Sequence, residues 1–301
     1  MRFNSIEDVY DAVRGAQRRR LAVVKAADKT VLETVAASRE LGLADAVLID
    51  NQAQLARAAE EAGISLEGFR IVHVPDSAEA ARTGVALVKN GEADVLMKGF
   101  LETRDFMHAV VATGTGLKLE NRMITSILAV ELKEQKRFLF LTDIGFVPAP
   151  DLEGKRQILF NAVDVLHALG CPEPKVAVIC ATETVNPKMP ATLDAQALQA
   201  QNEAGEITGC RVAGPISFDI ATSERAARHK KYANPVGGHA DILLMPNLET
   251  GNVAAKTFDL FTEHDSVSIV AGASAPIVFT SRGNSMREKL NAVAFAVQLV
   301  K

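Results

Sequence analysis

The chain has little aromatic surface for stacking. Tryptophan is absent from its 301 residues and only two tyrosines occur, so base stacking would depend on phenylalanines that lie within apolar runs. The net charge of −4 provides no global basic field for nucleic acid or for an anionic membrane. No apolar stretch approaches the ~20 residues needed to cross a bilayer. These absences argue against nucleic-acid and membrane partners, whereas 48% hydrophobic and 23% charged residues are typical of a globular protein.

Cysteine is also scarce. Cys171, Cys180 and Cys210 are odd in number and lack metal-ligand spacing, and the six histidines show no H-x-x-x-H pattern. No metal site is therefore indicated, and the few thiols are typical of a reducing compartment. Acidic residues occupy the N-terminal stretch where a signal peptide needs an apolar core. We expect a cytoplasmic protein.

Three common catalytic signatures are missing. The chain contains no G-x-x-x-x-G-K-[ST] loop, no G-x-G-x-x-G after a strand and no G-x-S-x-G elbow. A P-loop, a standard dinucleotide fingerprint and an α/β-hydrolase nucleophile are therefore unsupported.

Short apolar runs alternate with helical patterns almost throughout the chain. In the first part, strands are predicted at 21–25, 46–49, 71–74 and 95–97, each followed by a helix, which is the pattern of a parallel, doubly wound sheet. The apolar runs 123–130 and 138–141 are separated by a short polar turn and predict an antiparallel hairpin.

The fold class that follows is α/β, with two α/β domains and largely parallel sheets. The predicted first domain comprises 1–122 plus 262–301, and the second comprises 123–261. A small-molecule site is expected in the cleft between the domains, a favoured place for such pockets.

Polar turns follow three of the predicted strands. The last strand runs into T-S-R-G-N-S (280–285), another into Lys98 and Gly99, and a third into P-N-L-E-T-G-N (246–252). Ligands of open α/β sheets bind at the carboxyl ends of strands, and the amino end of a helix favours an anion. For 280–285 taken alone, an ordinary capped helix is an equally good interpretation. Three such turns together favour a convergent anion site.

Long ordered motifs resemble the phosphate acyltransferase family, which includes phosphate acetyltransferase and phosphate butyryltransferase. The resemblance covers nearly the whole chain from about Asp76 onward. The motifs are A-D-V-L-M-K-G (93–99), L-T-D-I-G-F-V-P-A-P-D-L-E-G-K (141–155), P-K-V-A-V-I-C-A-T-E-T-V-N-P-K-M-P-A-T (174–192), G-P-I-S-F-D-I-A (214–221), A-D-I-L-L-M-P-N-L-E-T-G-N (240–252) and T-S-R-G-N-S (280–285).

The resemblance implies reversible transfer of an acyl group between coenzyme A and inorganic phosphate. It also implies two α/β domains with the active site in the cleft, similar to isocitrate and isopropylmalate dehydrogenases, and a homo-oligomer that is at least a dimer. Coenzyme A is a substrate, and no tightly bound cofactor is expected. The Lys98-Gly99 turn, the 161–164 helix segment and the 186–190 turn are closer to the butyryl branch.

The same resemblance assigns site residues. Ser281 and Arg282 match the family's Ser-Arg pair at the acyl-transfer centre. Glu288 stands where acetyl-transferring relatives carry an Asp thought to act as base, and an ordinary surface helix residue is its alternative interpretation. The predicted substrate-binding residues are Lys98, Gly99, Thr103, Gly251, Asn252 and Thr280.

Acyl transfer to coenzyme A needs a thiolate, donors for a developing oxyanion and cations for the phosphate. Arg282 and Lys98 are expected to hold the phosphoryl group, and Ser281 and Asn252 to bond its oxygens or the carbonyl oxygen. Glu288 would take the thiol proton directly or through water. A ternary complex suffices, so no covalent enzyme intermediate is needed.

Several alternatives remain open at this stage. One is a phosphate acetyltransferase of the same family, and another is a non-catalytic protein that binds coenzyme A or acyl phosphate. A metal- and nicotinamide-dependent hydroxy-acid dehydrogenase would need clustered Asp ligands, and an enzyme using acyl carrier protein would favour a basic docking surface. The acyl chain length also stays open, because one methylene changes discrimination by only ~1–3 kcal/mol.

Overall fold

The structure is a computed structural model that describes residues 2–261, 264–281 and 283–300. It divides into two compact units, which are described separately. We call Ile6–Ile124 with Ser266–Lys301 the first unit, and Thr125–Asp265 with Met1–Ser5 the second unit. The domain boundaries read from the sequence, and the cleft between the domains, stay predictions.

The first unit alternates strands with helices along most of its length. Its elements are α1 Ile6–Arg14, β1 Arg19–Val24, α2 Lys29–Glu40, β2 Ala44–Asp50, α3 Gln52–Ala62, β3 Arg70–His73, α4 Ser77–Lys89, β4 Val95–Lys98, α5 Thr103–Val111, β10 Ser266–Ala271, β11 Ile277–Val278 and α11 Met286–Gln298. Polar residues begin several of the helices: the Asp28 carboxylate accepts from Val31 N of α2, and the Asp76 carboxylate accepts from Glu79 N of α4. Such caps satisfy N–H groups that have no partner within the helix.

The strands of the first unit lie in the order β3-β2-β1-β4-β11-β10. All neighbouring pairs are parallel except β10 with β11, which is antiparallel. The last four residues of β1 are apolar and buried, and all four residues of β4 are buried, as expected for strands covered by helices on both faces.

The second unit contains a hairpin followed by alternating helices and strands. Its elements are β5 Thr125–Leu132, β6 Arg137–Thr142, α6 Leu152–Ala168, β7 Lys175–Ile179, α7 Pro190–Glu203, β8 Arg211–Ile216, α8 Phe218–Thr222, α9 Glu224–His229, β9 Ile242–Leu244 and α10 Leu248–Phe261. The predicted antiparallel hairpin is confirmed, because β5 pairs with β6 from Ile127↔Thr142 to Leu132↔Arg137.

The strand order of the second unit is β5-β6-β9-β7-β8, and every pair beyond the hairpin is parallel. Apolar side chains of β5, β6, β7 and β9 form its core with α8 and α9, including Val130, Leu141, Ala177 and Leu243. The prediction of an α/β fold with largely parallel sheets is therefore confirmed.

Two local features complete the description. The helix α1 was not predicted from the sequence, although Ile6, Val9, Tyr10 and Val13 are buried along one of its faces. Within the described part of the chain, no helix combines the length and the apolar character that a membrane span requires.

Candidate active site

Two of the strands that are followed by predicted polar turns, β4 and β11, end side by side. Strand β11 pairs parallel with β4 through Ile277↔Leu96 and Val278↔Met97. The chain leaves β4 after Lys98 towards α5, and it leaves β11 after Val278 towards α11. The two turns therefore open on the same edge of the sheet, and each leads to the amino end of a helix. We call this edge the β4–β11 edge.

Lys98 is the last residue of β4 and is only 4% exposed. Its ammonium nitrogen lies 5.8 Å from the centroid of the Phe279 ring, which is within the range of a cation–π contact. Phe279 also packs on Phe106 of α5, with 6.0 Å between ring centroids. The two turns are thus joined by direct side-chain packing, and a cation lies in a poorly solvated place beside them.

Gly99 permits the close approach of the β4 turn to the end of β1. Its N–H donates to Val24 O at 2.8 Å, and the N–H of Phe100 donates to Lys25 O at 2.8 Å. A Cβ on residue 99 would come within 2.5 Å of Val24 O and would overlap Lys25 O as well. A side chain is therefore excluded at this position by backbone contact, which is a structural reason for the glycine next to Lys98.

Thr103, another predicted substrate-binding residue, is the first residue of α5. Glu102 occupies the N-cap position with extended backbone, and its side chain makes no capping hydrogen bond in the described structure. Thr103 is exposed at this helix start. Its place agrees with a helix N-terminus at the β4–β11 edge, where N–H groups favour anions.

Thr280 and Ser281 follow β11 directly. Thr280 is 9% exposed, and its Oγ1 is buried without a hydrogen-bond partner among the described residues. Ser281 is exposed; its N–H donates to Asn284 Oδ1 at 2.6 Å, and its carbonyl accepts from Asn284 N at 3.2 Å. The turn is therefore closed on itself by Asn284. The predicted partner of Ser281, Arg282, lies outside the described residues.

Glu288 forms part of the cap of α11. Ser285 accepts from the backbone of Glu288, and the Glu288 carboxylate accepts from Ser285 N at 2.7 Å, which makes a reciprocal capping box. Asn284 Nδ2 donates to its other oxygen at 2.5 Å. Burial raises the pKa of Glu288, but the hydrogen bonds from Ser285 and Asn284 outweigh it and leave that pKa below the ordinary value. A carboxylate so held is a weaker base, and its proposed role as base stays a prediction.

A buried lysine that the sequence interpretation did not single out follows strand β1. Lys25 follows Val24 at the carboxyl end of β1, has a left-handed backbone with φ of 56° and is 8% exposed. Its ammonium is ion-paired with Asp50 and donates to Pro75 O at 3.3 Å. The sequence held a usable signal, because a lysine after an apolar strand is the same pattern that selected Lys98.

The second unit holds the two remaining predicted residues. Gly251 lies in α10, and a Cβ there would overlap the carbonyl oxygen of Asp143 and come within 3.3 Å of Ile144 Cα. Asn252 Nδ2 donates to Ile144 O at 3.3 Å. Both residues therefore fit α10 against the loop after β6, and their substrate contacts stay predictions.

Asp143 organises that loop. It is 2% exposed; one carboxylate oxygen accepts from the N–H groups of Gly145 and Phe146 at 2.7 Å, and the other accepts from Ser126 N at 2.7 Å. The motif that contains Asp143 could be recognised in the sequence. The backbone N–H groups that donate to its carboxylate could be identified only from the folded loop.

Comparison with known proteins yields one consistent result. A family model described as "Phosphate acetyl/butaryl transferase" matches residues 75–297. Phosphate butyryltransferase from Clostridium acetobutylicum is 41% identical over 292 residues, which are 97% of each chain. Phosphate acetyltransferase from Rhizobium meliloti is 41% identical over 89% of this chain and 85% of its own. The crystal structure of a branched-chain phosphotransacylase from Enterococcus faecalis has a TM-score of 0.83 at 29% identity, covering 94% of this chain and 99% of its own.

Proposed function

Because the chain belongs to the phosphate acetyl/butyryl transferase family and is an acyltransferase, we propose that it moves a short-chain, butyryl-like acyl group between coenzyme A and inorganic phosphate. The reaction is acyl-CoA + phosphate = acyl phosphate + CoA, and it runs in both directions through a ternary complex. The β4–β11 edge carries this proposal, because parallel pairing places Lys98 beside the Thr280–Ser281 turn at the starts of two helices.

The chemistry of this edge suits a phosphate and an acyl carbonyl. Lys98 supplies a cation of low exposure, and a charge-assisted bond to phosphate is stronger in such a place than in water. The buried hydroxyl of Thr280 has no partner in the described structure, and a substrate oxygen would satisfy it. Ser281 adds an exposed hydroxyl next to it.

The proposed mechanism is a direct transfer. A phosphate oxygen attacks the thioester carbonyl, the tetrahedral intermediate collapses, the carbon–sulfur bond breaks and coenzyme A leaves as thiolate. Lys98 and Arg282 hold the phosphate, and Ser281 donates to the oxyanion. In the reverse direction the thiolate attacks the acyl phosphate after Glu288 takes the thiol proton directly or through water, and inorganic phosphate leaves. Gly251, Asn252, Gly99 and Thr103 complete the proposed substrate-binding residues.

The preference for a butyryl-like group rests on similarity. The Clostridium acetobutylicum relative is named a phosphate butyryltransferase, and the Enterococcus faecalis structure is named a branched-chain phosphotransacylase. The Rhizobium meliloti relative, named a phosphate acetyltransferase, is equally identical over a shorter part of the chain. Acetyl transfer is therefore the second candidate.

Four further properties belong to the proposal. The enzyme takes coenzyme A as a substrate and works without a tightly bound cofactor. It is a homo-oligomer, at least a dimer, and it is located in the cytoplasm. Size-exclusion chromatography with light scattering would measure the subunit number directly.

The test of this function is release of free thiol from acetyl-, butyryl- and isobutyryl-coenzyme A, each with and without added phosphate. We expect thiol release that depends on phosphate and is fastest with a four-carbon acyl group. Faster release from the acetyl thioester would favour the second candidate. Binding of coenzyme A without release from any thioester would contradict the transferase and favour a binding protein.

A further inference from the structure

The fourth residue of α11 is a lysine whose burial needs an explanation. Lys289 is 3% exposed, although an ammonium loses much hydration free energy when it leaves water. Burial lowers the pKa of Lys289, and the negative charges of Asp28 and Glu288 oppose that effect. A buried cation of this kind persists when its hydrogen bonds compensate for lost hydration.

The partners of Lys289 are backbone carbonyl oxygens of the turn after β11. Its ammonium donates to Ser281 O at 3.3 Å and to Asn284 O at 2.5 Å. These two carbonyls lie on either side of positions 282 and 283. One ammonium group therefore ties both ends of the segment that carries the predicted Ser281–Arg282 pair.

The same turn is held by a second set of bonds from the side chain of Asn284. Its Oδ1 accepts from Ser281 N at 2.6 Å, and its Nδ2 donates to Glu288 at 2.5 Å. Side chains of α11 and of Asn284 therefore bond this turn, and Lys289 is a cation among them. Loss of the ammonium would leave the two carbonyls without their charged donor while the helix cap stays intact.

We propose that Lys289 is a positioning residue for acyl transfer, which binds the carbonyl oxygens of Ser281 and Asn284 and thereby holds Ser281 in place. This inference rests on the proposed function. The ammonium donates to the carbonyl oxygens of Ser281 and Asn284, so its effect on the reaction is exerted through the placement of Ser281. A misplacement of a reacting or binding group by about 1 Å is enough to lower a rate by about 100-fold.

The test compares Lys289→Met with Lys29→Met in the assay of phosphate-dependent thiol release. Methionine keeps the length and apolar stem of lysine but has no donor. Lys29 is a matched control of the same type in the same unit: its side chain is 67% exposed, and it makes only a long ion pair of 3.9 Å with Glu33. The wild-type protein is measured first, with kcat, the KM for phosphate and the urea midpoint for each form.

We expect Lys289→Met to lower kcat by about 100-fold and to raise the KM for phosphate by about tenfold, with Lys29→Met unchanged in both. A variant that merely folds less completely would lose kcat in proportion to its folded fraction and keep the wild-type KM. Unchanged kcat and KM in folded Lys289→Met would overturn the inference, as would a loss of kcat with wild-type KM that follows the folded fraction.

A second variant covers the case in which Lys289→Met does not fold. Lys289→Arg keeps the charge and has enough N–H donors for both carbonyls, but its larger, planar guanidinium cannot occupy the position of a compact ammonium at a site that is 3% exposed without displacing the turn. We expect it to fold, with a raised KM for phosphate and a reduced kcat, and wild-type values for both would overturn the proposal. A wild-type protein without phosphate-dependent thiol release would instead refute the proposed function, so the two failures are distinguishable.

Discussion

At the scale of single residues, the charged and hydroxyl side chains of the β4–β11 edge differ in their burial and in their partners. Lys98 and Lys289 are both buried, whereas Ser281 is exposed. Lys98 packs against an aromatic ring, and Lys289 donates to backbone carbonyls. We therefore keep Lys98 as a proposed substrate-binding residue and propose that Lys289 holds the turn, although both lysines lie at the β4–β11 edge.

Glu288 is the residue whose role is best resolved by one substitution. Glu288→Gln keeps an acceptor for the capping box, since glutamine serves in that position, but it removes the base. If Glu288 takes the thiol proton, kcat in the direction that consumes coenzyme A falls by about 100-fold. Turnover equal to wild type would remove Glu288 from the mechanism and leave it as a cap.

The pH dependence of the free energy of unfolding tests the capping role of Glu288 separately from its role as a base. The pKa of Glu288 in the folded protein lies below its ordinary value, so the folded state favours the carboxylate. The resulting stabilisation is present above the ordinary pKa of glutamate and is lost as the pH falls through the lowered folded pKa. The free energy of unfolding of wild type should therefore exceed that of Glu288→Gln at neutral pH, and the two should converge in acid. A constant difference at all pH values would contradict this account.

At the scale of elements, glycine at position 99 lets β4 and β1 end in direct backbone contact. The Gly99 N–H donates to Val24 O. The carbonyl groups of Val24 and Lys25 occupy the position that a Cβ on residue 99 would need. The turn that carries Lys98 is therefore positioned by its neighbour strand as well as by its own helix.

Gly99→Ala should consequently destabilise the protein by about 2 kcal/mol, because the new Cβ overlaps backbone that cannot move as a flexible side chain does. Gly15→Ala is a matched control in the same unit, where the nearest atom to a new Cβ is 3.8 Å away. It should change the free energy of unfolding by less than about 0.5 kcal/mol. Urea denaturation measures both, and equal midpoints for the two variants would contradict the packing argument.

The elements also show where sequence patterns are sufficient. Continuous apolar runs between helical patterns were enough to predict parallel strands such as β1 and β4, and the short turn before Arg137 predicted the hairpin. The helix α1 was missed although Ile6, Val9, Tyr10 and Val13 have the spacing of an amphipathic helix, so the sequence carried a signal that was not used. The pairing of β11 with β4 could not be read from the sequence, since these strands are far apart along the chain.

At the scale of the whole molecule, the motifs that identify the family are distributed over both compact units. The polar and charged residues of these motifs predicted an anion-binding site, and the family resemblance identified the expected anion as phosphate. The network around Lys289 had no such signal, because a lysine within a helix is normally an exposed residue and its carbonyl partners are invisible in a sequence. Likewise, the Thr280 hydroxyl is seen to be buried without a partner among the described residues only after folding.

The central claim is that the acyl group passes from coenzyme A to phosphate, and phosphorus NMR tests it most directly. Wild-type protein is incubated with butyryl-coenzyme A and inorganic phosphate, and the acyl phosphate signal is compared with the free thiol formed. The account predicts that acyl phosphate and free thiol appear in equal amounts and that added coenzyme A reverses the reaction. Free thiol without acyl phosphate would mean thioester hydrolysis and would contradict the account, as would the absence of both products.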